Sequence, residues 1–82
     1  MKEETFVLKH FSDMNVEPTS LFVQIAGRYS SAVTVSLNGR SVNAKSLMGM
    51  MMLGLTEDKE ITVTVDGADE QAVLDELKKQ FA

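Results

Sequence analysis

The chain contains no cysteine. This excludes disulfides, thiol nucleophiles and any metal or redox centre built on thiolates, and it accords with a reducing compartment. Histidine is almost as scarce, with His10 alone in 82 residues, so a metal site lacks the ligand spacing it would need. No apolar run approaches the roughly 18 residues of a membrane span, and the opening Met-Lys-Glu-Glu-Thr is too polar and acidic for a signal peptide. Twelve acidic residues against eight basic ones leave a net charge of −4. That charge repels phosphate backbones, so a protein is a better expected partner than nucleic acid. These absences predict a cytoplasmic protein with no membrane association and no cofactor.

What is present suffices for one core. At 44% apolar residues, a chain of this length can bury somewhat over ~60% of its unfolded surface without staples, and residues 1–82 are expected to form a single domain. Thr5 to Phe11 reads as a strand, with Phe6 and Leu8 on one face and Thr5, Val7 and Lys9 on the other. Leu21, Phe22, Ile25, Ala26 and Tyr29 then fall at helical spacing. This predicts a helix over residues 16–28, with Asn15 as its N-cap and Pro18 in its first turn, where a missing N–H costs nothing.

Ala32 to Leu37 alternates, with Val33, Val35 and Leu37 inward, and Asn38-Gly39 reads as a two-residue hairpin turn into a short strand, Arg40 to Asn43. Ser46 can cap a short apolar helix to about Leu53, closed by Gly54 in a left-handed position. Glu60 to Val65 alternates again, with Ile61, Val63 and Val65 on one face, until Asp66-Gly67 breaks it. A last helix from about Asp69 to Phe81 aligns Val73, Leu74, Leu77 and Phe81, with acids in its first turn and Lys78 and Lys79 in its last. The predicted order is β-α-β-β-α-β-α. Because each strand has one apolar and one Thr/Ser-rich face, the fold class is α+β: an open-faced sandwich with a four-stranded antiparallel sheet and three helices on one face.

The block Val42-Asn43-Ala44-Lys45-Ser46-Leu47-Met48-Gly49-Met50-Met51-Met52-Leu53-Gly54 resembles the regulatory-serine segment of the HPr family, the small phosphocarriers of the bacterial sugar phosphotransferase system. Leu21-Phe22-Val23-Gln24, Asn38-Gly39 and the Gly67 to Ala72 run match the family as well, so the resemblance extends along nearly the whole chain. It implies an HPr-like domain with strand order 1-4-2-3. It also exposes a departure. The family's active loop reads Gly-Ile-His-Ala-Arg-Pro, whereas the aligned stretch here reads Asp13-Met14-Asn15-Val16-Glu17-Pro18, placing Asn15 and Glu17 at the positions of the active-site histidine and arginine.

Phosphoryl relay needs a nucleophilic ring nitrogen that forms a labile phosphoramidate, which an amide cannot supply. Glu17 also inverts the charge beside the loop: a carboxylate ~6 Å from a doubly charged phosphoryl group opposes it by roughly 1–5 kcal/mol. No catalytic residue is therefore assigned and no enzymatic activity is expected. The loop has a plainer reading too, since Asn15 is a favourable N-cap and Glu17 in a first turn complements the helix dipole. His10, near the end of a strand, is read as a surface residue rather than a displaced phosphate acceptor.

Ser46 carries two compatible readings. It can be a plain helix cap, or the site of regulatory phosphorylation that the resemblance implies, because a phosphoserine at a helix N-terminus suits the dipole. In the family, HPr kinase/phosphorylase modifies the matching serine of HPr and of the histidine-lacking Crh proteins, and the product serves a catabolite control repressor. Four of the six methionines crowd into residues 48–52. Met50 and Leu53 are expected inward, while Met48, Met51 and Met52 share a face, and Leu47, Met48 and Met51 are assigned to partner binding, as adaptable thioether surfaces suit protein recognition. The sequence therefore predicts a Crh-like regulatory adaptor of carbon catabolite control, not competent for histidine phosphorelay. The alternative is a divergent HPr-fold protein-binding module with no remaining phosphorylation.

Overall fold

The computed structural model describes residues 1–11 and 15–82. Its elements are β1 (Lys2–Val7), α1 (Pro18–Gly27), β2 (Ala32–Leu37), β3 (Arg40–Asn43), α2 (Leu47–Leu53), β4 (Glu60–Asp66) and α3 (Glu70–Phe81). The sheet order is β1-β4-β2-β3 with every neighbouring pair antiparallel. The element order, the antiparallel sheet and the family's strand order thus all agree with expectation.

Period-2 alternation accounts for the sheet's two faces. Val33, Val35, Leu37, Ile61, Val63 and Val65 are buried, and the intervening Thr34, Ser36, Thr62 and Thr64 stay half-exposed. Register aligns hydroxyls on the open face: Thr5 pairs with Thr62 through a 2.9 Å hydroxyl contact, and Ser36 pairs with Ser41 through one of 2.7 Å. On the covered face, Phe81 of α3 stacks on Phe22 of α1 at 5.0 Å and meets Phe11 at 5.6 Å. These rings join Leu8, Ile25, Leu74 and Leu77 in one buried cluster with the inward strand residues.

Three boundaries differ from expectation. The first strand runs from Lys2 to Val7 rather than from Thr5 to Phe11. Lys2, Glu3 and Glu4 pair with Val65, Thr64 and Val63, and charged side chains suit this edge position although they hide the alternation. After Val7 the chain leaves the sheet. The Lys9 N–H donates to the Phe81 carbonyl, and His10 turns to a left-handed φ of 60°. His10 is consequently an exposed bend residue rather than part of a strand. The first helix begins at Pro18 and is capped by Glu17, not by Asn15. A residue before proline is pushed out of the helical region, and Glu17 accordingly sits at φ −65°, ψ 117°. The third difference is small: Asp69 precedes α3 as its N-cap residue but makes no side-chain cap bond there.

The Asp69 carboxylate reaches instead to the turn between α1 and β2. It accepts from the Ser30 N–H at 2.9 Å, the Ser30 hydroxyl at 3.3 Å, the Ser31 N–H at 3.0 Å and the Ser31 hydroxyl. Led by the Ser31 hydroxyl and the Ser30 N–H, these donors hold its carboxyl down from an ordinary 3.8 to about 2. Gly67 makes the approach possible, because a Cβ there would collide with Ser31 Oγ and lie 2.7 Å from Ser31 Cα.

A depressed folded-state pKa stabilises the protein above the unfolded value, and that contribution disappears as pH falls through the folded one. The melting temperature should therefore decline between about pH 4 and about pH 2 as Asp69 protonates. Asp69→Asn should melt lower at neutral pH and show a shallower decline across that acid window, as measured by circular dichroism. Gly67→Ala should destabilise by about 1–3 kcal/mol through overpacking against Ser31, measured by urea unfolding.

Candidate functional site

The site is built where α1 and α2, which pack against each other, present their outer surfaces. At the start of α1, Glu17 turns its carboxylate onto its own helix. Oε2 accepts from the Thr19 N–H at 2.7 Å and the Ser20 N–H at 3.2 Å, and Oε1 lies 3.3 Å from the Thr19 nitrogen. Two amide donors that could serve an incoming anion thus already hold an anion. Asn15 is exposed in the bend before the helix. Asp13 and Met14 of the aligned loop lie outside the described residues. Val16, at 55% exposure, joins Glu17, Ser20, Leu21 and Gln24 around a depression of ≈ 370 Å³.

The approach to α2 is set by Asn43. Its side-chain oxygen accepts from the Lys45 N–H at 2.9 Å, and its carbonyl accepts from the Ser46 N–H at 3.0 Å. Ser46 then caps α2 as expected. Its hydroxyl oxygen accepts from the Gly49 N–H at 3.2 Å and remains exposed to solvent. Gly54 closes the helix in the left-handed region at φ 75°, ψ 53°. Between these caps, Met50 and Leu53 are buried and anchor the helix to the core.

The other face of α2 is bare. Leu47 is 44% exposed, Met48 75%, Met51 66% and Met52 66%. Among the described residues, these four alone line an open depression of ≈ 650 Å³. The three residues assigned to partner binding are therefore brought together, and Met52 belongs with them. Its place on the same helical face was legible in the spacing, although it was not assigned a role. A further depression, at the edge of β2 and β3, is lined in part by Ser30, Thr34, Ser41, Asn43 and Lys45. The Lys45 ammonium there donates to the Tyr29 carbonyl at 2.8 Å. Among the described residues, no group of three or more His, Cys, Asp or Glu side chains is arranged to hold a metal.

Residues 2–82 match the family model described as PTS HPr component phosphorylation site. Among solved structures the chain is similar to HPr-C-His from Thermoanaerobacter tengcongensis, with 35% identity and a TM-score of 0.87 over 96% of this chain and 89% of that one. It is also similar to phosphocarrier protein HPr from Bacillus anthracis, with 30% identity and a TM-score of 0.90 over 99% of this chain and 96% of that one. A third similar structure is Crh, the catabolite repression protein of Bacillus subtilis. It shares 36% identity and a TM-score of 0.71 over 92% of this chain and 82% of that one.

Because the Glu17 carboxylate satisfies the α1 amides, Glu17→Ala should lower stability by about 0.5–2 kcal/mol, the usual range for losing a side-chain N-cap. Glu17→Asp, which keeps a carboxylate on a shorter arm, should recover part of that loss. Urea denaturation of the three proteins checks the order. Equal stability of all three would mean that the cap contributes nothing.

Proposed function

The chain belongs to the HPr family of the bacterial sugar phosphotransferase system, and we propose that it serves there as a non-enzymatic regulatory adaptor of carbon catabolite control, controlled at Ser46 and unable to relay phosphate through histidine. One observation carries this reading. An exposed serine hydroxyl caps α2 and is followed directly by the apolar surface of Leu47, Met48, Met51 and Met52. A kinase can reach that hydroxyl without disturbing the core. A phosphate there would set a double negative charge beside an uncharged surface, disfavouring an apolar partner and favouring one that presents arginines. The partners this reading implies are HPr kinase/phosphorylase and a catabolite control repressor.

The start of α1 supports the negative half of the proposal. Asn15 offers no nucleophilic nitrogen, and the Glu17 carboxylate occupies the amides of the first turn. An incoming phosphoryl group would meet a fixed negative charge in place of the cation that the family's arginine supplies.

Incubation with HPr kinase, ATP and magnesium followed by intact-mass measurement should add one phosphate, absent in Ser46→Ala. An unmodified mass would overturn control at Ser46 and leave the protein-binding module as the function. Enzyme I with phosphoenolpyruvate should leave the protein unlabelled; rapid labelling that is stable in alkali and lost in acid would contradict the loss of relay. Asn15→His alone should restore little labelling, and Asn15→His with Glu17→Arg should restore more. Ser46→Asp should remain folded, with a melting temperature level with or slightly above that of the parent, since an anion near a helix N-terminus is favourable by roughly 0.3–1 kcal/mol.

A further inference from the structure

The helix α2 sorts its four methionines by accessibility. Met50 is fully buried, whereas Met48, Met51 and Met52 are 75%, 66% and 66% exposed. The three outward sulfurs fall at i, i+3 and i+4, so they share one face of the helix. Solvent-borne reagents thus reach three thioethers and not the fourth. The chain has no cysteine to compete for them. Their surroundings make any chemical change consequential, because among the described residues no polar side chain lines the depression they form with Leu47.

From this arrangement we infer that Met48, Met51 and Met52 form a reversible oxidation site, at which a two-electron oxidant such as a peroxide converts the apolar face of α2 into a polar one without unfolding the domain. In each event a sulfur lone pair attacks one peroxide oxygen and the O–O bond breaks. The departing hydroxide leaves with a proton as water, and the side chain keeps one oxygen as a sulfoxide. The sulfur is oxidised by two electrons and the peroxide is reduced by two. Methionine sulfoxide reductases reverse the step: a thiol pair supplies two electrons and the oxygen departs as water.

Two features keep this change on the surface. The residues that bind α2 to the core, Met50 and Leu53, are buried. The caps that end the helix, Ser46 and Gly54, contain no sulfur. A sulfoxide is a strong hydrogen-bond acceptor, and pressing it against an apolar partner strands it without a donor. Oxidation therefore opposes docking at this face. That consequence rests on the docking role proposed for α2, whereas the selectivity and reversibility of the oxidation do not.

The test treats the full chain with limiting hydrogen peroxide and maps the products by peptide mass spectrometry. Circular dichroism, fluorescence of an apolar surface dye and affinity for HPr kinase are followed in parallel. Oxygen should appear on Met48, Met51 and Met52 at least about tenfold faster than on Met50, with the dichroism spectrum unchanged. Dye fluorescence should fall, and kinase affinity should drop about tenfold or more. Methionine sulfoxide reductases with a thiol reductant should restore both. A triple variant, Met48→Leu, Met51→Leu and Met52→Leu, retains an apolar face and keeps Met1 and Met14, and its dye fluorescence should not respond to peroxide.

Equal oxidation of Met50, loss of the folded spectrum, unchanged dye fluorescence after full conversion, or a triple variant as sensitive as the parent would each overturn the inference. A kinase that fails to bind the unoxidised protein would instead count against the proposed function. The peptide map, the spectrum and the dye would then decide the oxidation site by themselves.

Discussion

The whole arrangement depends on a sheet with only one face to hide. Val33, Val35 and Leu37 from β2, with Ile61, Val63 and Val65 from β4, form an apolar surface that three helices must cover. They share the work unequally. α3 contributes four buried residues over twelve positions, and α1 contributes Phe22, Ile25 and Ala26. α2 is seven residues long and buries only Met50 and Leu53. Its remaining large side chains, Leu47, Met48, Met51 and Met52, are apolar as well, so the outward face of α2 is apolar. The surface proposed for recognition is this uncovered face of α2.

A second constraint acts at α1. Pro18 fixes the first helical residue and forces Glu17 into an extended conformation, from which its side chain can fold back over the first turn. The same carboxylate two residues further into the helix would be only a dipole-complementing charge. Here it takes up the Thr19 and Ser20 amides directly. Proline therefore does more than start the helix, for it decides that the anion at this helix end is part of the chain. The long-range tether at Asp69 works by the same chemistry, with a carboxylate spent on backbone and hydroxyl donors 38 and 39 residues away. In both places an acidic side chain organises a turn, which is one way an acidic chain can use its charge.

Much of this was legible in the sequence. Alternation in residues 32–37 and 60–65, the Asn38-Gly39 turn, and the Ser46 and Gly54 ends of α2 are local signals, and local signals sufficed for β2, β3, α2 and β4. The first strand was misplaced because Lys2, Glu3 and Glu4 tolerate an edge position that their polarity conceals. Asn15 has the right side chain for a cap but lies too far upstream of the proline. The Asp69 tether joins residues distant in the chain and leaves no periodic trace. At the candidate site, the shared face of Met48, Met51 and Met52 and the inward turn of Met50 and Leu53 could be deduced from spacing, but how bare the outer face stays depended on what packs over it. Only packing decides that.

The geometry of α2 would let both proposed chemistries act on one surface. Ser46 precedes the helix and accepts from the Gly49 amide, so an added phosphate would stay at its end. The thioethers project from its side, so an added oxygen would alter its face. Neither group shares an atom with Met50 or Leu53, which bind the helix to the core. A surface held by two buried anchors and two capped ends can therefore change polarity, or gain charge, while the sheet and the other helices stay as they are. A longer helix with a wider buried stripe would couple such changes to the fold. In α2 the side chains that anchor the helix and those that face solvent are therefore different ones.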